Sequence, residues 1–375
     1  MKIGLIGAGR LGLCFALLVE KIGYTVVASD VREDYIKDLR KGVINTTEPD
    51  VHDLLLNSKN ITFTTNNLDV IEQCDIIFTL VATPSLEDGS YDVSAVDKVV
   101  QDFTTSSLKL SGKSLVIGCT TNPGDCDKFQ KKLDYFGVDV FYNPEFIAQG
   151  SIIKDLKNAD MVLIGGYGHH VSELKKIYYS IKGSKKEPHP YIHFMSTKAA
   201  EITKIAVNCY LTTKISYANQ VGQVLALAGM EDEIDNVLTA IGTDTRIGNK
   251  YLKFGFGFGG PCFPRDNRAF AAYAKDLGVC FNLGETIDNF NTKHSDFIFE
   301  YYVSKNINKL PFCFKYLTYK SGIDIITESR QYDLALSFLN EGYEVYCIDN
   351  ACKDLVDDRI KFVTTPIENV YWIDL

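Results

Sequence analysis

Lys2-Ile3-Gly4-Leu5-Ile6-Gly7-Ala8-Gly9-Arg10-Leu11-Gly12 lies at the start of the chain. The short apolar run Lys2–Ile6 reads as a strand. Gly7, Gly9 and Gly12 follow at GxGxxG spacing, and the apolar pattern Leu11–Ile22 reads as a helix. Each glycine has its own task in such a turn. Gly7 permits the tight bend, Gly9 lets a pyrophosphate approach the backbone, and Gly12 lets the helix pack on the strand. Arg10 and Leu11 open the helix, whose unpaired N–H groups and positive dipole end face an anion. The next strand-like run, Thr25–Ser29, ends at Asp30, an acid placed to accept hydrogen bonds from ribose hydroxyls and to repel a 2′-phosphate. Strand, turn, helix and acid together predict an NAD site on Gly7, Gly9, Arg10, Leu11, Gly12 and Asp30. Arg32, close by, pulls slightly the other way. An ordinary glycine-rich turn that binds nothing is the alternative, and the four features in order argue against it.

Outward from this turn the alternation continues. Ile61–Thr64, Ile76–Thr79, Ser114–Gly118, Asp139–Tyr142 and Met161–Gly165 read as strands, with helical patterns such as Val93–Phe103 between them. Residues 1–190 are therefore expected to form an α/β domain, a Rossmann-type doubly wound sheet that is mainly parallel. Gly183–Pro190 is a cluster of breakers. Beyond it a helical pattern runs from Ser196, a good N-cap, to about Ala228. Further helices are expected at Glu231–Ala240, Arg265–Leu277 and Glu285–Lys305. Residues 191–305 thus read as a central all-helical domain with a long connecting helix. Strand-like runs return at Leu310–Phe314, Glu344–Ile348, Ile360–Val363 and Val370–Asp374, around a helical segment near Ser329–Glu341. This predicts a small C-terminal α/β domain over 306–375.

A chain of 375 residues is too long for one ordinary core. Its 46% hydrophobic and 23% charged residues suit a soluble globular protein. A net charge of −9 argues against broad nucleic-acid or anionic-membrane binding. No apolar run approaches the roughly 18 residues a membrane-spanning helix needs, and Gly7–Gly12 interrupts what a secretory leader would require. The ten cysteines are scattered without CxxC pairs or metal-ligand spacing. That fits reduced thiols, a cytoplasmic location and no metal.

One cysteine stands apart. Residues 254–266 read Phe-Gly-Phe-Gly-Phe-Gly-Gly-Pro-Cys-Phe-Pro-Arg-Asp. Four glycines within 255–260 predict a mobile loop that lets backbone approach a ligand. Cys262 follows, with a helix expected from about Arg265. A thiol near a helix N-terminus is activated as a nucleophile. The other nine cysteines read as buried apolar residues. Lys204 and Asn208, four apart, share one helix face and could jointly stabilise an oxyanion, one by charge and one by its amide.

The stretch Gly257–Asp266, GFGGPCFPRD, resembles the active-site loop of the UDP-glucose/GDP-mannose dehydrogenase family, usually GFGGSCFPKD. Other blocks agree in order: Val81-Ala82-Thr83-Pro84 with Asp88-Gly89-Ser90; Cys119-Thr120-Thr121-Asn122-Pro123-Gly124; Asn143-Pro144-Glu145-Phe146 with Gly150; Glu201 through Lys204 and Asn208; and Asp244-x-Arg246-Ile247-Gly248. The likeness spans about residues 1–300. It implies a four-electron oxidation of a UDP-sugar at C6 by NAD, most like UDP-glucose to UDP-glucuronate, through a thiohemiacetal and a thioester on Cys262. It further implies that Lys204 and Asn208 stabilise the C6 oxyanion, that Asp266 holds a water or Lys204, and that Glu145 and Thr120 assist proton transfer. Thr83, Thr120, Gln149 and Arg265 are implied to touch NAD. Tyr251, Leu252, Lys253, Phe254, Gly255, Gly259 and Lys315 are implied to contact the substrate, together with Glu145. Arg246 matches an arginine that reaches the neighbouring subunit's substrate, which implies a homodimer.

Some positions depart from the family pattern. Gln149 replaces an acid, Cys119 a serine, Asn45 a proline and Pro261 a serine, and Thr327-Glu328-Ser329 stands where Arg-Glu-Ser is usual. The terminal third follows the family least, so the nucleotide base and sugar stay open between UDP-glucose, a UDP-N-acetylhexosamine and GDP-mannose. A relative that binds NAD without turnover is the third possibility.

Overall fold

The computed structural model describes residues 1–182, 191–365 and 367–375; the breaker cluster at 183–190 lies outside the described residues. The chain divides into two compact units, Met1–Lys204 and Ile205–Leu375. The helical middle and the small terminal sheet therefore share one unit.

The first unit is built on eight strands: β1 (Lys2–Ile6), β2 (Thr25–Ser29), β3 (Ile61–Thr64), β4 (Ile76–Thr79), β5 (Ser114–Ile117), β6 (Asp139–Tyr142), β7 (Met161–Gly165) and β8 (Tyr191–Met195). Their order is β3-β2-β1-β4-β5-β6-β7-β8. Neighbours from β3 to β6 pair in parallel, β7 joins β6 antiparallel, and β8 pairs in parallel with β7. The sequence reading contained seven of these strands. It missed β8, whose partly exposed Tyr-Ile-His-Phe-Met lacks a strong apolar signal.

The central strands are nearly continuous apolar runs because both faces are covered. Val116 and Phe141 pack into one apolar cluster with the helix Arg10–Lys21, and Leu115 and Val140 into a second with the helix Ser94–Thr105. Gly4 makes one of these contacts possible: a Cβ there would lie 2.6 Å from Val70 Cγ1.

Chain order reverses between β1 and β4. A crevice therefore opens at the carboxyl ends of these strands, where ligands bind in open sheets of this kind. Asp30 follows β2, Gly7 follows β1, Thr83 lies in the loop after β4, Thr120 after β5 and Glu145 after β6. All five strands run the same way, so these residues gather along one edge of the sheet.

The long helix spans Thr197–Leu227, and Ser196 Oγ accepts the Ala199 N–H at 3.3 Å as an N-cap should. In the second unit the helices Ile234–Thr243, Phe263–Asp276 and Leu283–Lys305 follow. The C-terminal sheet is parallel throughout, in the order β11 (Lys361–Phe362), β10 (Val345–Cys347), β9 (Phe312–Phe314), β12 (Tyr371–Ile373). The helix Arg330–Asn340 packs on it: Phe338 stacks on Phe312 with ring centroids 3.7 Å apart. Among the described residues no helix is long and apolar enough to cross a membrane.

Candidate active site

The glycine turn separates the tasks of its three glycines. Gly7 sits at φ +95°, and a Cβ there would lie 2.7 Å from the Leu80 carbonyl oxygen. At Gly12 a Cβ would lie 2.1 Å from the Gly7 oxygen, so only hydrogen lets helix and turn meet. Gly9 is different: nothing of the protein comes nearer than Arg32 Nη2 at 4.0 Å. No packing demand explains Gly9, which lines an open cavity. Gly9 caps the helix Arg10–Lys21 and its carbonyl accepts the Leu13 N–H at 2.8 Å.

A cavity of about 810 Å³ runs from Gly7 and Gly9 past Asp30 and Arg32 to Lys98. It is roomy enough for a dinucleotide half, and its phosphate end is a helix N-terminus, so the residues present fit NAD. Arg32, Asn67 and Lys98 line it, and sequence reasoning did not assign them to the site.

Asp30 does not stand alone. Arg32 Nε and Nη2 grip its two carboxylate oxygens at 2.8 and 2.9 Å, and the Arg32 N–H adds a third bond at 3.1 Å. The charge that was expected to repel a 2′-phosphate is thus locally balanced. Arg10 and Gln149, placed by sequence in the same site but 139 residues apart, meet at 3.0 Å, Nη1 to Oε1. Glu48 accepts the Gly150 and Ile152 N–H groups and so fixes the loop that carries Gln149. Thr83 is buried and Thr120 half-buried.

Glu145 lies just past β6. Its Oε1 is 2.6 Å from Tyr178 Oη, and its backbone carbonyl accepts Lys204 Nζ at 2.8 Å. That ammonium also sits over the Phe146 ring, 4.6 Å from its centroid. The residue keeps some exposed surface, yet loss of hydration around the carboxyl dominates and pushes its pKa up to about 7. The Tyr178 hydroxyl and the Lys204 charge oppose that rise. A carboxyl poised near neutrality suits a general base or acid.

In the second unit, Cys262 is exposed and is itself the N-cap of the helix Phe263–Asp276, with Pro264 in the first turn. The helix begins two residues earlier than the sequence suggested because Pro264 is pre-set for a first turn. The thiol is therefore closer to the helix N-terminus than expected. Asp266 is 1% exposed, and its Oδ2 accepts Asn208 Nδ2 at 2.6 Å. Asn208 is thus one partner of Asp266, and the Lys204 ammonium bonds the Glu145 carbonyl. Neighbouring bonds brace the same face: Thr212 and Asn267 exchange hydrogen bonds at 2.9 and 3.1 Å, and Asn267 Nδ2 reaches the Phe263 carbonyl at 2.9 Å.

The glycine loop is pinned rather than mobile. The Gly255 N–H donates to Asn219 Oδ1 at 2.9 Å, the Phe258 N–H to Asn291 Oδ1 at 2.9 Å, and the Gly260 N–H to the Thr327 carbonyl at 3.1 Å. His294 Nε2 donates to the Gly255 carbonyl at 2.6 Å while Nδ1 accepts from Gln223 at 2.8 Å. Burial depresses the His294 pKa, consistent with a neutral ring in that tautomer. The glycines serve close approach: a Cβ at Gly259 would lie 2.3 Å from the Glu328 carbonyl oxygen.

Other sequence-assigned residues differ in exposure. Leu252 is buried among Ala218, Ile234 and Leu238, so only its backbone is free to contact a ligand. Phe254 fills the notch left by Gly222, where a Cβ would lie 2.1 Å from its ring. Tyr251 and Lys253 are exposed, Tyr251 at φ +62°. Arg246 is exposed and bound to Asp244 by Nε and Nη2. Lys315 pairs with Asp374. Arg265 is partly exposed. Among the other nine cysteines, Cys280 is exposed and Cys119 half-buried, against the expectation of burial; the remaining seven are buried and none of the ten forms a disulfide.

A family model described as the UDP-glucose/GDP-mannose dehydrogenase family NAD binding domain matches residues 1–182, and that family's central domain matches residues 198–293. The chain is 32% identical over 301 residues to the UDP-glucose 6-dehydrogenase TuaD of Bacillus subtilis, covering 78% of this chain and 63% of that protein. It is 34% identical over 286 residues to the putative UDP-glucose 6-dehydrogenase YtcA of the same organism, covering 74% and 64%. These matches span less than two thirds of either relative. The structure of a UDP-glucose dehydrogenase from Pyrobaculum islandicum aligns with a TM-score of 0.82 at 26% identity, covering 97% of this chain and 86% of that one. The UDP-N-acetyl-mannosamine dehydrogenase Cap5O of Staphylococcus aureus shares the fold, with a TM-score of 0.76 at 21% identity over 99% and 98% of the two chains.

Proposed function

Because the chain belongs to the UDP-glucose/GDP-mannose dehydrogenase family, we propose that it oxidises C6 of UDP-glucose from alcohol to carboxylate, giving UDP-glucuronate by way of a covalent bond to Cys262. Gly7, Gly9, Arg10, Leu11, Gly12 and Asp30 would hold NAD, with Thr83, Thr120, Gln149 and Arg265 assigned to it as well, and NAD would supply the oxidant for the two two-electron steps.

The observation that carries the reading is Cys262: an exposed thiol at the N-cap of a helix, ahead of a buried aspartate–asparagine pair. Such a thiol can add to the C6 aldehyde. The S–C bond forms as the carbonyl π bond breaks, and the thiol proton goes to the new oxygen, giving a thiohemiacetal. Capture prevents escape of a reactive aldehyde between the two oxidations. After the second oxidation the carbon is a thioester. Water attacks it, a C–O bond forms, the C–S bond breaks, and the thiol is regenerated with the carboxylate as product. Lys204 stabilises the C6 oxyanion by charge and Asn208 by its amide, whose orientation Asp266 fixes. Glu145 takes the proton of the attacking water, with Thr120 holding that water. Tyr251 to Gly255, Gly259, Lys315 and Arg246 are assigned to the sugar and phosphates.

The same chemistry on a UDP-N-acetylhexosamine or GDP-mannose is the second reading. It is supported by the family description, which spans UDP-glucose and GDP-mannose enzymes alike. The homodimer is supported by Tyr210, Tyr217 and Val224, exposed at seven-residue spacing and so on one stripe of the long helix. The ten thiols outside any disulfide support a cytoplasmic setting.

NADH formation with UDP-glucose, UDP-N-acetylglucosamine, UDP-galactose and GDP-mannose, run beside Cys262→Ser, tests the proposal. Two NADH per UDP-glucose, lost or stalled in the variant, is the expected result. Preference for another nucleotide changes the substrate and keeps the mechanism. Silence with every sugar despite NAD binding overturns the enzymatic reading.

A further inference from the structure

Asn143, Tyr178 and Glu145 form one line of hydrogen bonds inside the first unit. Tyr178 Oη lies 2.6 Å from Glu145 Oε1 and 2.6 Å from Asn143 Oδ1. The Asn143 amide has a fixed sense, because its Nδ2 donates to the Leu163 carbonyl at 2.8 Å. The atom it turns to the phenol is therefore an acceptor. Tyr178 is 4% exposed and Asn143 2% exposed, so water does not compete readily for these groups.

A phenol has one proton and faces two acceptors. With Glu145 ionised, the O–H turns to the carboxylate and the Asn143 oxygen loses that donor. With Glu145 protonated, the carboxyl donates to the phenol oxygen and the phenol donates to Asn143, so all three groups are satisfied. We propose that Asn143, acting through the Tyr178 hydroxyl, sets the protonation of Glu145, and that turning this one O–H accompanies each proton Glu145 takes up or gives back. Asn143 and Tyr178 are positioning residues in this scheme. Its use in catalysis rests on the assignment of Glu145 as general base made above.

The charged and titratable groups facing Glu145 are Tyr178, from the helix Val171–Lys182, and Lys204, from the helix Thr197–Leu227. Lys204 favours the ionised carboxyl in the natural chain and in every variant below. The relay needs no backbone movement. The proton lost by the attacking water bonds to Glu145 Oε1, and the phenol proton swings from Glu145 to Asn143 Oδ1.

The test is an infrared difference titration of the full chain, reading the protonated carboxyl stretch assigned to Glu145 by its absence in Glu145→Gln. Asn143→Ala removes the acceptor that rewards the protonated state and leaves the ionised state unchanged. Glu145 should then titrate lower by roughly half to one pH unit, the worth of one neutral hydrogen bond. In a Tyr178→Phe background the same substitution should produce no shift, since the connection is gone. Asn143→Leu, closer in volume, serves in place of Asn143→Ala where the smaller residue does not fold. No shift in a folded Asn143 variant, or an equal shift with and without the Tyr178 hydroxyl, overturns the relay. The titration needs no sugar. Its failure leaves C6 oxidation standing, whereas silence toward every nucleotide sugar overturns that reading and leaves the titration to be judged by itself.

Discussion

Glu145 shows how a motif residue acquires a chemical property from its neighbours. Its motif names the residue type, but burial raises the pKa to about 7 and the Tyr178 hydroxyl and Lys204 hold it from rising further. Two outcomes follow at this scale. Glu145→Gln should lower kcat for acid formation by about a hundredfold or more, the usual worth of a general base, and remove the acid limb near pH 7 from the rate profile. It should also change stability with a definite sign. A carboxyl whose folded pKa is raised binds more protons folded than unfolded between its ordinary value and about 7, so its contribution to stability falls as pH rises through that window. Thermal unfolding of the natural chain should therefore lose more stability than Glu145→Gln between about pH 5 and pH 8. Equal losses in the two proteins would contradict the raised pKa.

At the scale of elements, the cysteine loop is where local rules and tertiary contacts part. Its composition reads as mobile, yet Asn219, Asn291 and His294 tie it from helices far away in sequence. Gly259 is needed because the Glu328 carbonyl passes its α-carbon closely, a contact with no local signal. Gly259→Ala should destabilise the protein by about 1–3 kcal/mol through overpacking and depress turnover, because Cys262 follows directly from this loop. Denaturant melts beside NADH assays check both. Loss of turnover without loss of stability would place the strain in the site alone. The first unit behaves more predictably. Seven strands were legible because a doubly covered sheet demands apolar runs, whereas β8 was missed because none of its five residues is fully buried and its sequence carries no such run.

Across the whole molecule, the chain forms two compact units, and the long helix contains the boundary between Lys204 and Ile205. Its exposed stripe of Tyr210, Tyr217 and Val224 has an apolar character that solvent does not favour. If that stripe is a contact between two copies, Tyr217→Asp should convert dimers to monomers in sedimentation velocity while leaving NAD binding to the first unit intact. A dimer that persists in that variant puts the interface elsewhere.

The sequence by itself determined the glycine turn, the sheet it opens, the long helix and the setting of Cys262 outside the core beside a helix start, because each rests on spacing within a few residues and on side-chain chemistry that needs no partner. Helix and strand periods are written locally, and GxGxxG carries its own conformational reason in Gly7 and Gly12. Only the tertiary structure decided that Arg32 grips Asp30, that Arg10 meets Gln149, that Asp266 holds Asn208, that Leu252 is spent on the core, and that Tyr178 stands between Glu145 and Asn143. All but the first of these join residues far apart in sequence. Burial and hydrogen-bond partnership depend on which elements the fold brings side by side, and no local pattern encodes that adjacency.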